Sequence, residues 1–476
     1  MDDCSKDFLS ALPFSLFDQI LSKVSIKDVG STSLLSKRWR RYLFANLPDL
    51  DFNDSSSLQP QDTTGFVSFV DRVLELRGNN YVNKFSLKCG EHVWGSEVSS
   101  WILKVLSLGV LDLALHLSPK IYDPLPSEIF VHKELISLKI GPEGGPSFEL
   151  EDVSLPNLKT LDLESFTFEE DEMGFAKLLT GCPVLEELAL SNLCWNDWDS
   201  CYVSSNTLKR LMLFTASNSD KNPKSVSFDT PNVAYFAYSD NIAYKYPVLN
   251  FDSLVEAQID IKMTYNQRGY FNELDSDEEI GMFSDTKVLL MGICNVKTLY
   301  ISYKTLERYD NLTHLTINSH NPLVGWKSLP KLLKNSPNLE TLVFQGLNHR
   351  FTDECGDVCV CRRSEKNHSS LSQCPVRFLT VSYLGVPYDS DDDEWEMKTK
   401  MKNIKHFLKK MPNLEQLIIS YNSPSGDHDL AEVKKQLQKL DEVASTECDI
   451  QVIFDDISFS YVVPNSLSME LGQLLV

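Results

Sequence analysis

The sequence predicts an α/β chain: three short helices near the N-terminus, then an irregular solenoid with a curved parallel sheet on one side and helices on the outer face. Three observations predict it. Apolar residues in the first fifty positions fall at helical spacing in a segment too short to bury them by itself. Pairs of apolar residues two positions apart then recur, their first members separated by 28, 25, 23, 27 and 23 residues. Helix-period stripes lie between those pairs, so strand and return alternate along the chain.

The N-terminal helices come first. Leu16, Ile20, Leu21 and Val24 lie along one helical stripe. Leu12-Pro13 precedes it, proline's fixed φ suits the start of a helix, and Ser15 is placed to cap it. A second helical piece runs from Lys27 to Leu35 and includes Val29; a third, capped by Ser36, carries Trp39, Tyr42 and Leu43 on one side. Lys37, Arg38, Arg40 and Arg41 read as the solvated face around a buried tryptophan rather than as a nucleic-acid contact. Each Leu or Ile left uncovered forgoes about 1.5 to 3 kcal/mol, so three such helices need a partner and their stripe marks a docking surface.

The array follows. Phe66, Phe69, Val70, Val73 and Leu74 share one helix face, and Val98, Trp101, Ile102, Val105 and Leu106 share another. The paired positions Phe85 and Leu87, Leu113 and Leu115, Leu138 and Ile140, Leu161 and Leu163, Leu188 and Leu190, Leu211 and Leu213 read as strands. Their spacing is mostly within the roughly 20 to 29 residues of leucine-rich repeats. The signal continues more faintly at Tyr235 and Ile259, then at Leu299, Leu315, Leu342, Leu379 and Leu417. It is weakest over 226–291, where extra strands or a long acidic loop are expected. Each unit buries its apolar face only by stacking on its neighbours.

Composition bounds the function. The 476 residues are 42% hydrophobic and 24% charged, the balance of a globular chain. Lysine and arginine total 45 against 67 acidic residues, a net charge of -22, which argues against nucleic acid or an anionic membrane as partner. The most apolar stretch, Trp101 to Leu117, is broken by Lys104, Asp112 and His116, so no membrane span is expected. The acidic N-terminus lacks the features of a secretory signal, and with an odd count of 11 cysteines the expectation is a cytoplasmic or nuclear protein with free thiols.

One cluster has a metal-like composition: Cys355, Cys359, Cys361, His368 and Cys374. Cys355 and Cys359 could form one zinc knuckle, but His368 and Cys374 do not supply the second, so the expectation is thiols without metal or cofactor. The acidic runs at 275–279 and 389–396 lack the glycine and terminal glutamate of a calcium loop; the second reads as the start of a helix that ends in lysines. No phosphate loop, G-x-S-x-G or H-E-x-x-H occurs, which leaves no residues for catalysis.

The residues Leu12-Pro13, Leu16, Ile20-Leu21, Lys27-Asp28-Val29, Ser33 and Leu35-Ser36-Lys37-Arg38-Trp39-Arg40 resemble the plant F-box. Ser25 and Phe17 depart from it, where many members have proline and leucine. The phrases Leu155-Pro156-Asn157-Leu158, Gly181-Cys182-Pro183-Val184-Leu185, Ser336-Pro337-Asn338-Leu339 and Met411-Pro412-Asn413-Leu414 are similar to plant F-box leucine-rich-repeat proteins, and Leu371 to Asp455 is similar to their FBD segment. The resemblance implies an F-box at 6–52, a leucine-rich-repeat array at 53–370, an FBD segment at 371–455 and a C-terminal tail at 456–476.

It also implies a role: a non-catalytic subunit of a Skp-cullin-F-box ubiquitin ligase. The F-box would dock a Skp-type adaptor through Leu12, Pro13, Leu16, Ile20, Leu21, Val24, Val29, Leu35 and Trp39, and the repeats would bind a target protein. The first candidates for target contact are the exposed positions beside Leu138, Leu161, Leu188 and Leu211. The alternative is a repeat protein that engages the adaptor or other proteins without promoting ubiquitination. A receptor whose array takes a small molecule into a pocket is a third reading, against which stands the absence from the array of a basic cluster that would clamp an anionic ligand.

Overall fold

The computed structural model describes residues 46–54, 63–90, 93–117, 125–142, 148–150, 152–164, 166–168, 174–193, 200–215, 223–262, 287–301, 309–319, 326, 329–348, 355, 357–360, 370–384, 393–423, 440 and 448–456. The chain divides into two compact units, Met1–Leu254 with Ile261–Leu289, and Val255–Asp260 with Leu290–Val476.

In the first unit eight strands pair in parallel, each with the next along the chain: β1 (Asp49–Asn53), β2 (Lys84–Cys89), β3 (Asp112–Leu117), β4 (Ser137–Pro142), β5 (Thr160–Glu164), β6 (Glu187–Leu193), β7 (Arg210–Thr215) and β8 (Tyr235–Asn241). The sheet thus opens at Asp49, inside the span 6–52 assigned from sequence to the N-terminal motif. The six apolar pairs read from the sequence, Phe85 and Leu87 to Leu211 and Leu213, form two ladders that Leu50 and Phe52 extend at one end and Phe236 and Tyr238 at the other. Tyr235, read as the next strand position, stands one residue before the ladder, in register with Arg210, because Phe236 takes the inward place. Leu50, Phe85, Leu113, Leu138, Leu161, Leu188, Leu211 and Phe236 stand in register, and two residues on so do Phe52, Leu87, Leu115, Ile140, Leu163, Leu190, Leu213 and Tyr238. None of these sixteen is more than 2% exposed, so each rung contributes the full burial of a large side chain, about 1.5 to 3 kcal/mol.

Backbone amides lock the register just before each strand. Lys159 and Thr160 both donate to the Ile136 carbonyl, at 2.8 and 3.1 Å, and Glu186 and Glu187 both donate to Lys159, each at 2.9 Å. Lys209 and Arg210 repeat the pattern onto Glu186.

The returns are helical only in part. Helices α1 (Thr63–Arg77) and α2 (Gly95–Ser107) carry the two predicted stripes, with Val70, Val73, Leu74, Val98, Trp101, Ile102, Val105 and Leu106 buried. Trp101 Nε1 donates to Asp71 Oδ1 at 2.6 Å, which joins the two helices. A 3-10 turn at Ser127–Val131 and the short helix α3 (Gly174–Gly181) follow. From there the returns run as strands instead: Ser200–Ser204, Ser225–Asp229 and Leu249–Asn250 form a second parallel sheet. Helix is displaced here because these segments alternate in the strand manner, Cys201 and Val203 inward around an exposed Tyr202. Phe228 of this sheet packs edge-on against Phe236 and Tyr238, at 4.9 and 5.5 Å between ring centroids. The extra strands expected in the weak stretch after Val226 are therefore present, while the acidic run 275–279 lies outside the described residues.

The second unit repeats the scheme with seven parallel strands: β9 (Glu256–Lys262), β10 (Thr298–Ile301), β11 (His314–Asn318), β12 (Thr341–Gln345), β13 (Phe378–Ser382), β14 (Gln416–Ser423) and β15 (Asp449–Asp456). Ala257, Leu299, Leu315, Leu342, Leu379, Leu417 and Ile450 form its first ladder. Helix α4 (Leu329–Lys334) precedes β12, and α5 (Asp393–Lys410) precedes β14. The later part of the run 389–396 starts α5 and Lys409 and Lys410 end it, an order that complements the helix dipole. Ile404, Phe407, Leu408 and Met411 are buried, as the spacing predicts. The Phe407 ring stacks on Phe344 at 5.4 Å, and Trp326 lies 5.2 Å from the same Phe344.

Candidate functional site

With apolar residues of each strand turned inward, the residues between them form the open face of the sheet from β1 to β7, while in β8 Tyr235 and Ala237 are themselves buried. In the first unit the middle row runs Asp51, Ser86, Ala114, Lys139, Asp162, Ala189, Met212 and Ala237, each in register with the next. The positions beside Leu138, Leu161, Leu188 and Leu211 that the sequence nominated thus stand in two rows, Lys139, Asp162, Ala189 and Met212 in this one and Ser137, Thr160, Glu187 and Arg210 in the one before it. Lys139 Nζ lies 3.8 Å from Asp162 Oδ2. Burial pushes the Asp162 carboxyl above its ordinary range, and Lys139 and His116 oppose that rise. Asn192, at a left-handed φ of 54°, donates to Glu164 Oε1 at 2.9 Å and fixes a second carboxylate on this face.

The row on the N-terminal side of this one contains Glu187, Arg210 and Tyr235 in register. The Arg210 guanidinium carbon sits 4.0 Å from the Tyr235 ring centroid. Arg210 is one of the two positions beside Leu211, so the sequence nominated it, but not its contact with Tyr235. The signal was present as a basic residue directly before an L-x-L strand, one repeat ahead of an aromatic in the same place.

The corresponding row of the second unit is Gln258, Tyr300, Thr316, Val343, Thr380, Ile418 and Gln451, without a charged side chain. Charge in that unit gathers just before the strands, where Arg377 donates to both carboxylate oxygens of Glu415, at 2.7 and 2.8 Å. The hydrogen bond from Arg377 holds the Glu415 carboxyl below its usual value, but the pair is fully exposed and screened by water.

Cys355, Cys359 and Cys374 are buried, and burial pushes the Cys374 thiol up to about 11. The segment that carries the first two is held on α5, where Val360 N donates to Asn403 Oδ1 at 3.1 Å and His406 Nε2 lies 2.7 Å from the Asp357 carbonyl oxygen. Cys361 and His368 lie outside the described residues; among those described, no group of three His, Cys, Asp or Glu side chains is placed to hold a metal. Nor is any described helix long and apolar enough to cross a membrane.

The residues nominated for adaptor docking, Leu12, Pro13, Leu16, Ile20, Leu21, Val24, Val29, Leu35 and Trp39, also lie outside the described residues. All nine fall inside residues 9–43, which match the F-box domain profile. Residues 98–244 match a profile described as FBD-associated F-box protein At5g56370, LRR repeats. F-box/LRR-repeat protein At3g59210 of Arabidopsis thaliana is 57% identical over 489 residues, covering 99% of each chain. F-box/LRR-repeat protein At4g14096 of the same plant is 46% identical over 473 residues, covering 96% of this chain and 97% of its own. Putative F-box/FBD/LRR-repeat protein At3g59240, also from Arabidopsis thaliana, is 42% identical over 478 residues, covering 96% and 91%. With an F-box at one end, parallel leucine-rich repeats after it and relatives matched along nearly their whole length, the chain belongs to the plant F-box/FBD/leucine-rich-repeat protein family and has the adaptor role that an F-box confers.

Proposed function

We propose that this protein is the substrate-recognition subunit of an SCF-type ubiquitin ligase, acting in the cytoplasm, the nucleus or both. The observation that supports the reading best is the union, in one chain, of an F-box match at residues 9–43 with an array of parallel repeats. The F-box docks the Skp-type adaptor, and through it the cullin. The array holds a target protein so that its lysines come within reach of the ubiquitin-charged enzyme, and the acceleration arises from proximity rather than from a catalytic group on this chain.

The test is co-expression with a Skp-type adaptor followed by gel filtration, set beside a Leu12→Ala, Pro13→Ala, Leu16→Ala, Ile20→Ala variant. Co-elution of the native chain and its loss in the variant is the expected result, and a native chain that never co-elutes overturns the reading. Ubiquitin transfer to a captured partner in the reconstituted complex separates delivery of a target from mere occupation of the adaptor.

A further inference from the structure

Arg210 has a geometry that its role in the fold does not explain. It lies half-buried on the open face of β7, its guanidinium stacked on Tyr235 at 4.0 Å. The ring holds the guanidinium carbon in place in advance of any contact. Yet its Nε is buried without a hydrogen-bond partner among the described residues, although Glu187 is its register partner on the neighbouring strand. The buried Nε is out of reach of an incoming group, but the rest of the half-buried guanidinium remains on the face of the sheet, where an acceptor from outside the chain gains a charged hydrogen bond.

We infer that Arg210, steadied by Tyr235, receives a carboxylate side chain, glutamate or aspartate, from the protein that the array holds. The inference rests on the reading of the array as a target-binding surface. Charge complementarity selects the occupant: the guanidinium fork matches a carboxylate with two parallel hydrogen bonds. A phosphate group carries nearly two negative charges, which a single cation with Glu187 beside it does not balance. Met212 and Phe214 continue the same face of β7, both half-buried, and the half-buried Ala189 flanks Met212 on the neighbouring strand. The residues next to the acid in the target segment therefore meet an apolar shelf.

The test uses the full chain, with the adaptor where it co-elutes, on immobilised randomised peptides whose central residue is fixed in turn as Glu, Gln, phosphoserine or Lys. The Glu set is expected to bind about tenfold more tightly than the Gln set, the span of one charged hydrogen-bonded contact. Arg210→Gln erases that difference, and Arg210→Lys, which keeps the charge and loses the fork, leaves only part of it. Both variants are checked by thermal melting, and the lysine variant carries the test if the glutamine variant does not fold. Equal binding of the Glu and Gln sets, a preference for phosphoserine, or a Glu preference that survives Arg210→Gln overturns the inference. Adaptor co-elution without a Glu preference overturns this site alone; a Glu preference without co-elution overturns the ligase reading and leaves the site standing.

Discussion

The side-chain amide of Asn338 donates to the main-chain carbonyl of Asp310, one repeat earlier, at 2.7 Å. The same bond recurs wherever a Pro-Asn phrase precedes a strand: Asn157 to Lys133 at 2.8 Å, Asn232 to Asn206 at 2.7 Å and Asn413 to Cys374 at 3.0 Å. The asparagine thus staples each repeat to the one before it, just where the chain turns into the sheet.

Asn338→Ala is expected to cost about 0.5 to 1.5 kcal/mol, the net worth of one such bond at an exposed site. Asn157 and Asn232 stand three strands apart, about 14 Å, so their alanine variants add. Denaturant midpoints of the single and double variants check both statements, and a double variant no weaker than either single would show that these bonds contribute nothing.

Gly181 explains the glycine of the Gly-Cys-Pro phrase. A Cβ built there would stand 2.2 Å from the Val153 carbonyl oxygen, and the Gly181 carbonyl accepts from Leu155 N at 2.8 Å. The obstruction is backbone, which cannot swing aside as a side chain would. Gly181→Ala is therefore expected to lower stability by about 1 to 3 kcal/mol or more, read as a fall in melting temperature against Ala189→Gly, a loss at a half-buried strand position.

Phe407 ties α5 to the sheet by its stack on Phe344. Phe407→Ala is expected to cost about 3 to 5 kcal/mol. Hydrogen exchange should show the amides of 393–410 losing protection before those of β2 to β5, in the other unit. Uniform loss across the chain would contradict local control by this contact.

Burial raises the thiols of Cys89 and Cys182 to about 12 and that of Cys374 to about 11, and it raises Cys201 as well. In the unfolded chain these thiols release their protons from about pH 9. The unfolded state then binds fewer protons than the folded one, so stability is whole below pH 9 and declines as pH climbs from there toward 12. Denaturant midpoints across that range are expected to fall, with a shallower slope in Cys182→Ala. Brief alkylation of the native protein at pH 8 should spare all four thiols and modify Cys448, which is partly exposed.

Much of this fold was legible beforehand, for local reasons. An alternation with period two turns its apolar members to one side of a strand, so Leu161 and Leu163 could be assigned to the core, and Lys139 and Asp162 to the open face, without coordinates. The helix stripes at Val70 and Trp101 follow the same logic with period 3.6. The family resemblance was carried by contiguous motifs that need no tertiary partner to be read.

The sequence by itself therefore determined which residues of the repeats from Phe85 to Leu213 point inward, and carried the F-box motif that precedes them. Only the tertiary structure decided that the returns at 200–204, 225–229 and 249–250 become a second sheet, since a short apolar alternation forms a strand only when a neighbour pairs with it. It also decided that Arg210 would find Tyr235, and that Lys139 would stand beside Asp162. Those relationships join residues a full repeat apart, and the register that joins them is set by how each return packs and by the carbonyl that receives its last amide.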